Sequence, residues 1–214
     1  MQAFAALIDA LVYTRSRDAK IRQIADYLRA TPDPDRGWAL AALAGTLSIA
    51  TVKSAAIRAM AEERFDPLLF RMSRDYVGDT AETVALMWPD PSHKVTPPTV
   101  AEVIDLLNAT SRARAPSVLA ELMDRLDADG RYALLKLATG GMRVGISARL
   151  AKTAFAQAFG LSVDDVEEVW HALRPPYTEL FAWGEGRADR PDLTDSAFFR
   201  PFMLAHPLDD GVVD

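Results

Sequence analysis

Residues 137–159 read LATGGMRVGISARLAKTAFAQAF, the end of one helix, a short connector and the start of another. Gly140 and Gly141 follow Thr139, where the positive φ of a tight helix stop favours glycine. Residues 142–146 form the connector and contain Arg143 and Gly145. Ser147 is placed to cap a second helix that carries Leu150, Ala154 and Phe155 on one face. A helix N-terminus presents unpaired N–H groups and a partial positive charge, so it suits an anion. Gly145 would let a ligand approach the backbone closely, and Arg143 would reach a phosphate. These residues predict a helix–hairpin–helix-like phosphate grip. A plain αα-hairpin, its glycines serving only the turn, fits the same residues.

Outward from this segment the apolar spacing stays helical. Phe4, Leu7, Ile8, Leu11 and Val12 recur at three- and four-residue steps, as do Ile21, Ile24, Ala25 and Leu28. Thr99 and Glu102 form a capping box ahead of Val103, Leu106 and Leu107. Pro34 marks a helix start at its first turn, Gly160 a helix end, and Ser162 with Asp165 the next start, which stops before Pro175 and Pro176. No sustained two-residue alternation with hairpin turns is present. The expectation is an all-α bundle of about ten or more short helices. Four prolines in residues 88–98 (WPDPSHKVTPP) divide the chain into two helical halves, and residues 187–214 read as a loop leading out.

Charge is unevenly spread over the 214 residues, whose formal net charge is -6. Residues 164–214 hold twelve acids and four bases, so the rest of the chain is slightly basic. Residues 130–163 contain no acid and carry Arg131, Lys136, Arg143, Arg149 and Lys152. Residues 106–120 are also free of acids and carry Arg112 and Arg114, and residues 13–22 set Arg15, Arg17, Lys20 and Arg22 against Asp18 alone. Each cluster fits a solvated helix face; together they favour a shared anionic ligand.

Several function classes are excluded or disfavoured. The chain has no cysteine, which removes disulfides, thiolate zinc sites and cysteine nucleophiles and suits a cytoplasmic setting. His93, His171 and His206 never fall at ligand spacing, so no metal is expected. The N-terminal MQAFAALIDALVYT is interrupted by Asp9 and preceded by no basic region, so neither a signal peptide nor a membrane association is expected. The connector lacks the Gly-Lys-Ser/Thr ending of a nucleotide-binding P-loop, and Gly145-Ile146-Ser147 does not continue as a nucleophile elbow. Asp164, Asp165, Glu167 and Glu168 suit the positive end of a helix, and Trp38, Trp88, Trp170 and Trp183 suit a core. No catalytic residue emerges.

Three blocks resemble a known family. GGMRVGISARLAKTAFAQA (residues 140–158), RPFMLAHP (200–207) and LVYTRSRDAKIRQIADYL (11–28) are similar to segments of the N-terminal helical DNA-binding domain of ATP-dependent DNA ligases. Gly78-Asp79 with Glu82 is similar to a Gly-Asp step there. The resemblance implies a DNA-binding domain over residues 1–186, then a linker and the start of a truncated adenylation domain over 187–214. It implies sequence-independent binding of nicked duplex DNA through phosphates and the minor groove, in repair or replication. Gly141, Arg143, Gly145 and Ser147 match the family's hairpin and helix cap, and Thr14, Arg15 and Arg17 match its first-block DNA contacts.

The family's catalytic lysine lies in a Lys-x-Asp-Gly motif, and none of Lys20, Lys53, Lys94, Lys136 and Lys152 begins one. No lysyl–AMP chemistry is therefore expected of this chain alone. ATP, Mg2+ and the adenylation and OB-fold domains are implied only for a full-length enzyme, and a monomer is expected. The reading from another class is a helical protein-interaction module with an acidic C-terminal face.

Overall fold

A computed structural model describes residues 1–47, 49, 52–91, 95–140, 142 and 145–192. Over these residues the chain forms twelve α-helices and no strand. In chain order they are α1 (Gln2–Tyr13), α2 (Arg17–Ala30), α3 (Asp35–Leu43), α4 (Ser54–Arg64), α5 (Pro67–Val77), α6 (Thr80–Met87), α7 (Val100–Ala109), α8 (Ala115–Met123), α9 (Ala128–Thr139), α10 (Ala148–Phe159), α11 (Val163–Trp170) and α12 (Thr178–Gly184). All-α is the observed class. Asp66-Pro67 and Gly78-Asp79 account for several of the breaks. Asp66 caps α5 by accepting from the Leu68 and Leu69 amides, and Asp79 caps α6 by accepting from those of Ala81 and Glu82.

The local signals act where the spacing predicts. Thr99 and Glu102 make both halves of the capping box of α7. Gly140 and Gly160 end α9 and α10 in the left-handed conformation, with φ 67° and 69°. Pro34, read as a first-turn residue, stands one place earlier, at the N-cap of α3. Ser162 precedes α11 as its N-cap but makes no side-chain capping bond. Residues 187–192 are outside any helix, and the rest of the segment read as an exit loop lies outside the described residues.

One apolar core runs from Met1 to Phe181 and draws on helices before and after the proline-rich stretch. The most extensive pairing is α2 with α10, followed by α1 and α6 with α9. Fully buried Ile24, Ala25 and Leu28 form the inner face of α2, and Ala151, Ala154 and Phe155 that of α10. Small alanines allow the two axes to approach closely, while each large apolar side chain buried stabilises by about 1.5–3 kcal/mol. Phe155, Phe159 and Phe181 meet edge to face or tilted, docking α12 onto α10.

The direction of α2 and α10 follows from two hydrogen bonds. Lys20, in the first turn of α2, donates to Gly145 O just before α10, at 3.3 Å. Arg29, in the last turn of α2, donates to Ala158 O near the end of α10, at 3.1 Å. Start meets start and end meets end, so the helices run parallel. Both N-termini therefore open on the same side of the molecule.

Candidate nucleic-acid interface

Each of these neighbouring helices opens with a serine cap. Ser16 Oγ accepts from the Ala19 amide at 3.3 Å, and Ser147 Oγ accepts from the Leu150 amide at 3.2 Å. A serine cap satisfies one of the first-turn amides and leaves others facing outward. Two parallel dipoles thus present their positive ends side by side. Around them stand exposed Arg15, Arg17 and Arg149, with Lys20 between the helices.

Of the site residues expected from sequence, Thr14, Arg15, Arg17, Gly145 and Ser147 can be located, whereas Gly141 and Arg143 lie outside the described residues. The block at 200–207 lies outside them as well. Thr14 is the C-cap of α1; its hydroxyl donates to Ala10 O at 2.7 Å and accepts from Gln23 Nε2 at 3.0 Å. That hydroxyl therefore sets the turn between α1 and α2. Arg15 carries no ion pair among the described residues, and Arg17 has an exposed contact with Asp18 at 3.6 Å. Gly145 is exposed with φ +67°, and a Cβ there would meet the Lys20 ammonium, at 2.8 Å. Arg149 is 75% exposed and reaches Glu167 only at 3.9 Å.

The acid-free stretch contributes less surface charge than its count suggests. Arg131 is 1% exposed and donates to the main-chain oxygens of Met123, Trp88 and Pro89, at 3.1, 2.8 and 2.7 Å. Lys136 is ion-paired with Asp79, and buried Lys152 stands 5.4 Å from the centroid of the Trp170 ring. Three of the five bases in residues 130–163 thus hold the fold together, and Arg149 faces solvent. A buried guanidinium is stabilised when its donors meet carbonyls, and most of those carbonyls come from distant sequence. Of the four tryptophans expected in the core, Trp88 and Trp170 are buried, and Trp38 and Trp183 are partly buried against it.

Lys20 and Arg29 are the residues that sequence reasoning did not single out. Lys20 belongs to the basic cluster at 13–22, and its place three residues after Arg17 on α2 was the available signal. Arg29 pairs locally with Asp26, but its bond to Ala158 O had no signal, because that acceptor lies 129 positions away.

Burial pushes the Asp79 carboxyl upward, but the Lys136 ammonium and the Glu82 and Ala81 amides outweigh it, holding the group below its usual range. Glu185 is held low chiefly by its hydrogen bond from Arg36, reinforced by Arg187. Both carboxylates lie in structural contacts. Among the described residues, no group of three or more His, Asp or Glu side chains is arranged to hold a metal ion, and no helix is long and apolar enough to cross a membrane.

The sequence matches no model of a known protein family. A search of curated proteins likewise returned no match.

Proposed function

We propose that this chain binds nicked duplex DNA without sequence preference, as the DNA-binding domain of an ATP-dependent DNA ligase does. The observation that carries the reading is the parallel pairing of α2 and α10. It joins two blocks of the resemblance, 125 positions apart at Lys20 and Gly145, into one positive, amide-rich edge. Phosphate oxygens are the ligands such an edge favours, since dipoles, outward amides and arginines all attract them. Lys20 Nζ, 3.3 Å from Gly145 O, adds an ammonium to this edge, and charged donors form strong hydrogen bonds with phosphate oxygens. The positive φ at position 145 favours glycine, and its missing side chain leaves the backbone there open to close approach.

On this reading the chain grips DNA and supplies no catalytic residue. The adenylation and OB-fold domains of the full-length enzyme, with ATP and Mg2+, carry the chemistry. An acidic protein-binding face is less favoured, because Asp165 and Glu168 pair with Arg190 while Glu185 pairs with Arg36 and Arg187.

The test is fluorescence anisotropy with a nicked duplex and its intact counterpart across a salt series. Four phosphate contacts, through Arg15, Arg17, Lys20 and Arg149, predict a log–log salt slope of about -3.6 and an affinity loss of roughly 100-fold between about 50 and 200 mM salt. Tighter binding to the nicked form ties the domain to strand joining. Absence of binding at low salt, both for this chain and for one extended past a Lys-x-Asp-Gly motif, refutes the reading.

A further inference from the structure

The exposed apolar side chains are concentrated on three helices. Of nine large hydrophobics exposed among the described residues, seven lie on α1, α5 and α6. On α5, Leu68, Leu69, Met72 and Tyr76 fall at helical spacing and are 57–93% exposed, while Phe70 alone is buried. The amphipathic stripe of this helix therefore faces solvent, and Phe70, stacked near Phe65, anchors it. Apolar side chains left exposed together in this way mark an interaction surface.

Two clefts cut into the patch and share Leu86, which is 62% exposed. The first, about 420 Å3, lies between α5 and α6 and is walled by Met72, Tyr76 and Met87. The second, about 290 Å3, lies among α1, α6 and α9 and is walled by Val12, Tyr13 and Tyr132. Asp9, Glu82 and Asp129 also line the second cleft, and none of their carboxylates has a hydrogen bond or ion pair among the described residues. Neither cleft is lined by a lysine, arginine or histidine among the described residues. The nearby Lys136 is neutralised by Asp79.

We infer that this groove docks a basic amphipathic helix of a partner protein, with an apolar face for Leu86, Met72 and Tyr76 and cations for Asp9, Glu82 and Asp129. Three unpaired carboxylates beside an apolar floor select the charge of the occupant. They repel the phosphates of a nucleic acid or an anionic membrane, so neither fits here. An interhelical groove of this shape receives a helix through anchors at i, i+3, i+4 and i+7. The inference stands apart from the DNA-binding reading by its opposite charge, and the groove's rim at Val12 and Tyr13 adjoins Thr14 and Arg15 of that site.

The probe is a fluorescein-labelled peptide of about 16 residues with leucines at helical spacing and lysines elsewhere, compared with a scrambled peptide of equal composition and with a glutamate version. The expected result is micromolar binding of the first peptide, at least tenfold weaker binding of the other two, and weakening by salt. Leu86→Asp should reduce that binding at least tenfold, as should the triple change Asp9→Asn, Glu82→Gln and Asp129→Asn. Tyr76→Asp, at a residue 93% exposed, repeats the test should Leu86→Asp disturb folding. Equal binding of the scrambled peptide, or indifference to both apolar substitutions, overturns the inference. So does self-association of the unmodified chain that Leu86→Asp abolishes in sedimentation, which would make a second copy the occupant. A loss of nicked-duplex binding on Leu86→Asp, with peptide binding unchanged, would overturn it in favour of DNA.

Discussion

The ammonium of Lys20 lies 3.3 Å from the carbonyl oxygen of Gly145, so the first turn of α2 is fastened to the residue that opens the approach to α10. This bond crosses 125 positions of sequence and brings together basic residues that belong to separate runs of the chain. With Arg29 fastened to Ala158 at the other end, the two helices form a paired unit with a defined polarity. Substitution can separate the cations this unit exposes from those the fold has buried.

Arg17→Glu combined with Arg149→Glu should weaken nicked-duplex binding by at least tenfold at low salt. It should also reduce the magnitude of the salt slope by about one for each phosphate no longer neutralised. Both side chains are largely exposed, at 63% and 75%, so the change in folding stability should stay within about 0.5 kcal/mol. Anisotropy and urea melts on the same sample separate the two effects.

Gly145→Val places a β-branched side chain at φ +67°, which costs about 1–2 kcal/mol, and pushes the Lys20 ammonium aside. DNA binding should fall while far-UV circular dichroism is nearly unchanged. A large drop in melting temperature with intact DNA binding would instead assign the glycine to turn geometry alone.

Arg131→Met removes the guanidinium that donates to the main-chain oxygens of Met123, Trp88 and Pro89. Withdrawing those donors should cost about 4 kcal/mol, or roughly 10 °C in a chain of this size. Arg131→Lys should recover only part, because an ammonium cannot reproduce the planar fork. Nicked-duplex affinity measured well below the melting temperature should not change. Weaker DNA binding by the folded variant would add Arg131 to the DNA-contacting residues.

Asp79→Asn keeps an N-cap for α6 but removes the ion pair with Lys136. A carboxyl held below its usual range binds fewer protons folded than unfolded, so its contribution is present at neutral pH and lost as pH falls through the folded value. The variant should be less stable at about pH 7 by about 1 kcal/mol, and the gap should close as pH drops from about 5 toward about 2. Urea midpoints across that range measure it. A gap constant with pH would mean that the ion pair contributes nothing.

What was legible in the sequence is what acts over a few residues. Ser147 and the Leu150 amide, Thr99 and Glu102, Gly140 after Thr139 and Gly160 after Phe159 are partners within one helical turn, so residue type and spacing sufficed. The inner face of α1 followed from periodicity too, with Phe4, Leu7, Ile8 and Leu11 buried, although Val12 at its end faces solvent. Composition alone, by contrast, could not tell a surface arginine from an interior one.

That distinction belonged to the tertiary structure. Arg131 and Lys152 turn inward because carbonyls and an aromatic ring from elsewhere in the chain receive them, and the Leu68, Leu69, Met72 and Tyr76 stripe turns outward because Phe70 is the anchor. Asp35, a first-turn residue of α3, accepts from the Val100 and Ala101 amides and so caps α7, a partner no local pattern announces. The chain's own sequence determined that it would be helical and where many of its helices begin and end, since propensity, capping and turn geometry are short-range. Which helices lie side by side, which way they run and which charges reach solvent depended on long-range burial, and only the folded chain decides that.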